Sequence, residues 1–238
     1  MCQRHFGIGA DGLILALPSR VADARMRILN ADGGEPEMCG NGIRCLGKFL
    51  YDRGLVRKTP MTIETLAGVL TLTLDVADGA VRAVTVDMGA PRLTPPDIPV
   101  AAASNRVVID LDGVPTRFFC VSMGNPHAVT YDLYPDDERF HRFGPMLENH
   151  PLFPRKANIE FCRVSGNGVD VRVWERGDGP TLACGTGACA VTVAGASLGL
   201  IPRRTTVNLP GGSLDIHWAE NDHLFMTGPA ETVYQGDL

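Results

Sequence analysis

The chain has 238 residues but only three lysines and 6% aromatic residues. Lys48, Lys58 and Lys156 lie outside any glycine-rich segment that would hold a phosphate, so a pyridoxal phosphate Schiff base has no support. The chain also lacks a run of Lys and Arg, and its net charge of −5 argues against binding to nucleic acid. The longest weakly polar stretch, 188–201, is shorter than a membrane span. The sequence therefore predicts no pyridoxal phosphate, no nucleic-acid partner and no membrane partner.

The sequence also predicts neither a disulfide framework nor a signal peptide. The seven cysteines are odd in number and irregularly spaced, which does not fit paired disulfides. The first residues, Met1–Phe6, do not resemble a signal peptide. We therefore expect a cytoplasmic protein whose thiols stay reduced.

Two of the cysteines lie in matching settings 145 residues apart. Met38-Cys39-Gly40-Asn41-Gly42 corresponds to Ala183-Cys184-Gly185-Thr186-Gly187. The match extends upstream without a gap, where Arg27 corresponds to Arg172. The sequence thus predicts an internal duplication in which each half supplies one Cys-Gly-x-Gly turn.

Two thiols in equivalent turns suggest chemistry that one thiol cannot perform. A thiolate on one side of a carbon can remove its proton while a thiol on the other side returns one, which inverts the stereocentre. Both Cys39 and Cys184 are followed by helical spacing, so each is expected at a helix N-terminus, where free N–H groups and the helix dipole favour anions. Such a position commonly lowers the pKa of a thiol, as a base acting near neutral pH requires. The pattern predicts a racemase or epimerase.

Short segments in which apolar and polar residues alternate recur along the chain and predict strands. These segments are Leu13–Leu17, Met26–Leu29, Thr62–Leu66, Leu70–Leu74, Val81–Met88, Val107–Leu111, Arg117–Val121, Ile159–Val164, Val169–Trp174, Thr205–Leu209 and Leu214–Trp218. Helical spacing is clearest over 43–50 and 188–198, and ends near Gly54 and Gly199. Gly-Gly and Asp-Gly pairs between the strands favour hairpins. The prediction is an α/β protein of the α+β type with one central helix in each half.

The two halves are expected to form two domains. The stretch 88–103 contains four prolines and is typical of irregular chain near a domain change. We place the boundary near residue 100, which gives an N-terminal half, 1–100, with Cys39 and a C-terminal half, 101–238, with Cys184. A return of the last residues, after Trp218, into the first domain is an open alternative.

The other cysteines suggest at most a metal site. Cys45 and Cys189 could join Cys39 and Cys184 as zinc ligands, but their spacings of five and four residues lie outside or at the edge of the usual pairs, and both fall in helices with apolar neighbours. We interpret these two as structural thiols and expect no metal. Cys2, Cys120 and Cys162 belong to no motif and are assigned to core or surface positions.

Several motifs in order along the chain resemble those of the diaminopimelate epimerase family. They are Asn30-Ala31-Asp32-Gly33, Met38–Cys45, Gly124-Asn125-Pro126-His127-Ala128-Val129, Ala157-Asn158-Ile159-Glu160-Phe161, Trp174-Glu175-Arg176-Gly177, Ala183–Ala190, Leu209-Pro210-Gly211-Gly212 and Met226–Ala230. The resemblance covers nearly the whole chain. It implies two similar pseudo-symmetric domains, each a curled, mostly antiparallel sheet around a central helix, with the substrate in the cleft between them.

The resemblance also implies an activity and a set of site residues. The activity is cofactor-independent interconversion of LL- and meso-diaminopimelate, in lysine and peptidoglycan biosynthesis, with Cys39 and Cys184 as the acid/base pair. Residues implied to bind the substrate are Asn30, Gly40, Asn41, Asn125, Asn158, Glu175, Arg176, Gly185 and Thr186. His127 and Glu175 match residues thought to adjust the pKa values of the thiols.

The chain departs from the family at two places. It starts late, so the first strand of the family and a substrate-contacting asparagine are expected to be missing, and activity without them is an open question. Gly12 stands where some members have a substrate-contacting glutamine, so no side-chain role transfers to it.

Other functions remain open at this point. A proline racemase or hydroxyproline epimerase also uses two cysteines, but that family typically has histidine where this chain has Asn41. A truncated inactive relative, or one that only binds, is the alternative from another class. A Cys39–Cys184 disulfide formed under oxidation would inactivate the enzyme. The sequence has no clear mark of oligomeric state, and a homodimer is left open.

Overall fold

A computed structural model describes Cys2, residues 8–31 and residues 33–236. Asp32 of the first motif and most of the segment before Ile8 therefore lie outside the described residues. The chain divides into two compact units. Unit 1 comprises the residues up to Asp87 together with those from Thr227 onward, and unit 2 is Met88–Met226. The boundary predicted from the sequence lies near residue 100, whereas this division falls between Asp87 and Met88.

Unit 1 contains one long helix and a mainly antiparallel set of strands. Its elements are β1 (Gly12–Leu17), β2 (Ala24–Asn30), α1 (Gly40–Asp52), β3 (Met61–Thr65), β4 (Gly68–Ala77), β5 (Ala80–Asp87) and the end of β14 (Leu224–Pro229). The strand order is β1-β2-β3-β4-β5-β14. Strands β2 and β3 are parallel, and α1 forms the crossover between them, whereas β1–β2, β3–β4 and β4–β5 are antiparallel.

Unit 2 contains two α-helices and the remaining strands. Its elements are a short 3-10 helix (Pro95–Asp97), β6 (Arg106–Leu111), β7 (Val114–Ser122), β8 (Pro126–Thr130), α2 (Asp137–Glu148), β9 (Asn158–Ser165), β10 (Gly168–Glu175), β11 (Gly179–Thr181), α3 (Gly185–Ser197), β12 (Arg204–Leu209), β13 (Gly212–Trp218) and the start of β14. The strand order is β14-β13-β12-β10-β9-β8-β7-β6, and β11 pairs with β10. The pairs β8–β9 and β10–β12 are parallel.

The predicted duplication is present in the elements themselves. Helices α1 and α3 both have 13 residues, and their first residues, Gly40 and Gly185, are 145 residues apart. The parallel strand pairs around them also correspond, since Ala24 pairs with Ile63 in one unit and Val169 with Val207 in the other. Each unit therefore repeats a strand, crossover helix and parallel strand, as the Cys-Gly-x-Gly repeat predicted.

Helix α1 forms because its first turn is capped and its apolar residues fall on one face. Ile43, Leu46 and Leu50 are buried at helical spacing, and α1 packs on β1, β4 and β5. The helix stops before Gly54, whose φ of +71° is open to glycine at little cost. Gly199 occupies the same position after α3 with φ +72°. Both predicted helix ends are thus confirmed.

Unit 2 has a second helix, α2, which the sequence analysis did not predict. Asp136 caps it by accepting a hydrogen bond from the amide of Arg139, and Asp137 and Glu138 lie in its first turn. Its apolar face, with Phe140, packs in a core made from β6 to β9. The helix was missed because Gly144 and Pro145 interrupt the expected pattern. Among the described residues, no helix is long and apolar enough to cross a membrane.

Candidate active site

Cys39 is the N-cap of α1. Its backbone is extended, with φ −134° and ψ 116°, and its sulfur accepts a hydrogen bond from the amide of Gly42 at 3.4 Å. The carbonyl of Cys39 accepts from the amide of Ile43 at 2.9 Å, which starts the helix. The amides of Gly40 and Asn41 precede the first intrahelical hydrogen bond. The predicted position of Cys39 at a helix N-terminus is confirmed.

Two other predicted residues of unit 1 are Asn41, in the first turn of α1, and Asn30, at the end of β2. Asn41 accepts a hydrogen bond from Nη2 of Arg44 at 3.2 Å through its side-chain oxygen. Asn30 is the last residue of β2 and is exposed, and its backbone is fixed by the loop that follows, where its amide donates to the carbonyl of Gly34. The structure therefore places Asn30 at the end of a strand with its side chain open to solvent.

Cys184 repeats the geometry of Cys39 at the start of α3. Its sulfur accepts from the amide of Gly187 at 3.4 Å and lies 3.6 Å from Oγ1 of Thr186. Its carbonyl accepts from the amide of Ala188 at 3.0 Å. Gly185 and Gly187 are buried, so the backbone of this turn is tightly packed. Cys184 itself is 5% exposed.

The pKa of Cys184 differs from what its position at a helix N-terminus suggested. Burial raises the pKa of this thiol well above the ordinary value, and the charge of Glu175 raises it further. Hydrogen bonds from Thr186 and Gly187 act in the opposite direction but are weaker. The expectation of a lowered pKa is therefore wrong for Cys184, because desolvation outweighs the helix terminus.

A chain of hydrogen bonds connects His127 with the Cys184 turn. Nε2 of His127 lies 3.0 Å from Oδ1 of Asn125, and Nδ2 of Asn125 donates to Oγ1 of Thr186 at 3.3 Å. Asn125 is held at the start of β8, just before Pro126, and His127 is fully buried. The structure thus brings three predicted residues together beside Cys184.

The side chain of Asn158 contacts the backbone of Arg176. Asn158 is 2% exposed, its Nδ2 donates to the carbonyl of Pro126 at 2.9 Å, and its Oδ1 accepts from the amide of Arg176 at 2.9 Å. The guanidinium of Arg176 is exposed and donates to the carbonyl of Arg155 at 3.3 Å. Asn158 therefore fixes the loop that carries Arg176.

Glu175 is the last residue of β10 and lies near the Cys184 turn. Its Oε1 accepts from Oγ1 of Thr181 at 2.6 Å, which ties it to β11. Its negative charge is among the causes that raise the pKa of Cys184. The structure thus places Glu175 close enough to Cys184 for its charge to act on the thiol.

Two polar residues near the thiols were not assigned a role from the sequence. Glu160 is fully buried, and its Oε1 lies 2.6 Å from Nδ1 of His127. Arg44 is 7% exposed in α1 and donates to the carbonyl of Gly40 at 3.0 Å. Glu160 lies within a run of five buried residues in β9. Strand β9 lies between β8 and β10, and the sequence does not specify this position.

The remaining cysteines lie in different settings. Cys45 is exposed, whereas Cys189 is buried among apolar residues of α3. No group of three or more His, Cys, Asp and Glu residues that could hold a metal ion occurs among the described residues. Burial raises the pKa of both Cys120 and Cys189 to about 12, which keeps these thiols protonated.

Comparison with known proteins gives a consistent family. The family model for diaminopimelate epimerase matches residues 1–94 and 119–233. A diaminopimelate epimerase from Desulfitobacterium hafniense is 53% identical over 242 residues, which cover 100% of this chain and 86% of that protein. Another from Methanococcus maripaludis is 52% identical over 241 residues and covers 99% of this chain and 87% of that protein.

Solved structures agree at the level of the fold. A probable proline racemase from Agrobacterium radiobacter has a TM-score of 0.69 at 18% identity, with 95% of this chain and 76% of that chain covered. A hydroxyproline epimerase from Agrobacterium vitis also has a TM-score of 0.69 at 18% identity, with 94% and 74% covered. These likenesses support the mixed α+β fold built from a duplication. Given the family model and relatives that are half identical over its full length, the chain belongs to the diaminopimelate epimerase family.

Proposed function

We propose that the protein interconverts LL- and meso-diaminopimelate without a cofactor and that Cys39 and Cys184 are its two acid/base groups. The observation that carries this proposal is the equivalence of the two thiols. Each caps a 13-residue helix, and each sulfur accepts the third amide of its helix at 3.4 Å. A duplicated thiol at a duplicated helix terminus fits a reaction that needs one base and one acid of the same kind.

The proposed reaction inverts one carbon in two proton transfers. A cysteine thiolate takes the α-proton, so the C–H bond breaks, an S–H bond forms and the electron pair moves onto the α-carbon and its carboxylate. The thiol of the other cysteine then gives its proton to the opposite face of the carbon and becomes a thiolate. The two cysteines have exchanged protonation states, and no electrons have left the system.

Charge that develops on the substrate carboxylate needs donors that are already in place. The first amides of α1 and α3, from Gly40, Asn41, Gly185 and Thr186, are suited to this because they precede the first intrahelical hydrogen bonds. Helix N-termini also favour anions through the helix dipole. We assign these four residues to the reacting end of the substrate.

The remaining polar residues are assigned to the substrate's ammonium and carboxylate groups. Asn30 and Arg176 have exposed side chains, and Arg176 can hold a carboxylate at the far end through a bidentate pair. Asn125 and Glu175 lie beside Cys184 but already have partners in Thr186 and Thr181. Asn158 is proposed to act mainly by positioning the Arg176 loop.

The proposal places the enzyme in lysine and peptidoglycan biosynthesis, in a reducing compartment such as the cytoplasm. The seven cysteines are free, which suits a mechanism that needs both a thiol and a thiolate. An oxidised Cys39 or Cys184 could perform neither transfer. A reductant is therefore required in any test of activity.

The direct test is exchange of the α-proton. The protein is incubated with LL-diaminopimelate and a reductant in D2O, and the α-proton signal is followed by NMR together with formation of the meso isomer. Loss of the signal with meso product is expected, and Cys39→Ala and Cys184→Ala should each abolish epimerisation. L-Proline and trans-4-hydroxy-L-proline serve as control substrates, and turnover of either in place of diaminopimelate would overturn the substrate assignment.

A further inference from the structure

Glu160 and His127 form a fully buried pair that the proposed reaction does not yet use. Oε1 of Glu160 lies 2.6 Å from Nδ1 of His127, and both side chains are 0% exposed. The pair lies beside the Cys184 turn, because a Cβ built on Gly187 would be 3.0 Å from Oε1 of Glu160 and 3.2 Å from Sγ of Cys184. The role of the pair is therefore tied to that of Cys184.

The hydrogen bonds fix the tautomer of His127. Oδ1 of Asn125 can only accept, so Nε2 of His127, 3.0 Å away, must carry a hydrogen. Nδ1 then either accepts from a protonated Glu160 or carries a second hydrogen as an imidazolium facing a carboxylate. Either way, one proton lies in the 2.6 Å contact between the two side chains.

The surroundings of Glu160 favour the neutral acid. Its Oε2 is buried and has no hydrogen-bond partner, which would be costly for an ionised carboxylate and less so for the carbonyl oxygen of an acid. The titratable groups around Glu160 are His127 on β8, Glu175 on β10, Cys120 on β7, Cys162 on β9 and Cys184 at the start of α3. Of these, only His127 and Glu175 shift the pKa of Glu160. Burial, and to a lesser extent the charge of Glu175, raise the pKa of Glu160, although His127 lowers it.

We propose that Glu160 is a positioning residue, held as a neutral carboxylic acid that donates to Nδ1 of His127 and so orients a chain of hydrogen bonds ending on the sulfur of Cys184. This inference rests on the proposed acid/base role of Cys184. It adds Glu160 to the residues that influence Cys184, although Glu160 donates no hydrogen bond to either thiol.

Each donor in the chain determines the direction of the next. Nε2 of His127 donates to Oδ1 of Asn125, so the amide of Asn125 is turned to donate from Nδ2 to Oγ1 of Thr186 at 3.3 Å. Because Oγ1 accepts this bond, the hydroxyl hydrogen of Thr186 is available for Sγ of Cys184 at 3.6 Å. A donor at the sulfur stabilises the thiolate relative to the thiol, which opposes the effect of burial on the pKa of Cys184.

Protonation of His127 in the intact protein is the first test. Two-dimensional 15N NMR of the histidine rings distinguishes the neutral Nε2–H form from the imidazolium, and a His127→Gln variant identifies the signal. The neutral Nε2–H form, with Nδ1 lacking a hydrogen, is the expected result. An imidazolium, or a hydrogen on Nδ1 alone, would overturn the proposal, because Glu160 would then be an ionised carboxylate or an acceptor.

Two variants of Glu160 separate donation from charge. Glu160→Leu removes the donor and should raise the pKa of Cys184, followed through the 13Cβ signal of that residue, and lower kcat on the order of tenfold with little change in KM. Glu160→Gln can still donate an N–H to Nδ1, so it should restore the Cys184 titration and most of kcat relative to Glu160→Leu. If Glu160→Gln behaves like Glu160→Leu, a carboxylate is required and the proposal is wrong.

The readouts keep this inference apart from the proposed function. The histidine and cysteine signals need no substrate, so they decide the protonation of Glu160 even if diaminopimelate is not turned over. Conversely, an imidazolium at His127 in a protein that does exchange the α-proton would reject this inference alone. Should Glu160→Leu fail to fold, the histidine measurement on the unaltered protein and the Glu160→Gln variant still decide the question.

Discussion

Nε1 of Trp174 donates a 2.9 Å hydrogen bond to Oε2 of Glu148, and this contact ties the end of α2 to β10. Glu148 also accepts from Nζ of Lys156 and from the amide of Gly177, the residue after Arg176. Glu148 is 7% exposed, so its carboxylate accepts from three donors in a place that is largely shielded from solvent. The indole of Trp174 also lies close to Gly144 of α2.

The close packing of this indole predicts that Gly144→Ala destabilises unit 2. A Cβ at this position would be 2.3 Å from Cδ2 and Cε3 of Trp174, so the ring or the helix must move. We expect a loss of about 1–3 kcal/mol in the free energy of unfolding, measured by urea denaturation. Gly166→Ala is the matched control, because a Cβ there meets nothing within 4 Å. Equal midpoints for the two variants would contradict this packing.

The close packing around Gly187 predicts that Gly187→Ala affects the Cys184 thiol as well as stability. A Cβ there would be 3.2 Å from Sγ of Cys184 and 3.0 Å from Oε1 of Glu160, closer than side chains normally pack. Gly187→Ala should therefore slow α-proton exchange by about tenfold or more, equivalent to about 1.4 kcal/mol in the barrier. Both kcat and the 13Cβ signal of Cys184 should change.

Gly42→Ala is the matched control for that variant. A Cβ on Gly42 would be 3.5 Å from Sγ of Cys39, an ordinary contact, and would meet mainly the movable end of Ile14 at 2.6 Å. It should affect stability more than exchange. A larger loss of exchange in Gly42→Ala than in Gly187→Ala would show that the two turns differ in another way.

Arg44 is predicted to stabilise the first turn of α1. Its guanidinium is buried and donates to the carbonyls of Gly40 and Pro229. Arg44→Met leaves these acceptors without their donor and should cost about 1–3 kcal/mol in the free energy of unfolding. Arg82→Met, which removes only an exposed ion pair with Asp78, should change stability little. Thermal unfolding of both variants checks the difference.

The raised pKa of Cys184 predicts the alkaline side of the pH profile. The active enzyme needs one thiolate and one thiol, and activity ends when the last thiol loses its proton. Burial and the charge of Glu175 hold the proton on Cys184, so kcat/KM should fall only above the ordinary range of a thiol. The Cys184 13Cβ titration and the rate profile should share this alkaline midpoint. A fall in rate near neutral pH, with Cys184 already ionised, would contradict the assignment.

The repeated cysteine turns allowed much of the fold to be predicted. Glycines after each cysteine, and Gly54 and Gly199 at the far ends, mark both helices, while alternation marks most strands. Strand β8 was missed because all five of its residues are buried, which removes the alternation. Strand β14 was missed because Gly228 interrupts a short apolar run.

The contacts between residues of the site were harder to predict from the sequence. Cys184 could be placed at a helix terminus, but the burial that raises its pKa depends on packing from other elements. Glu160 would ordinarily be expected on the solvent face of a strand, and only the position of β9 between β8 and β10 shows that this face is buried. Such neighbours depend on strand order, which local periodicity does not specify.

Strand β14 has a consequence for the order in which the protein can fold. The side-chain hydroxyls of Thr227 and Thr85 form a hydrogen bond of 2.7 Å. The carbonyl of Pro229 accepts a hydrogen bond from Nε of Arg44. Unit 2 is one continuous segment, whereas unit 1 includes residues from Thr227 onward. Unit 1 therefore cannot be completed on the ribosome before the residues from Thr227 onward are made, although most of it is translated first. The half that is translated first is the half that is finished last.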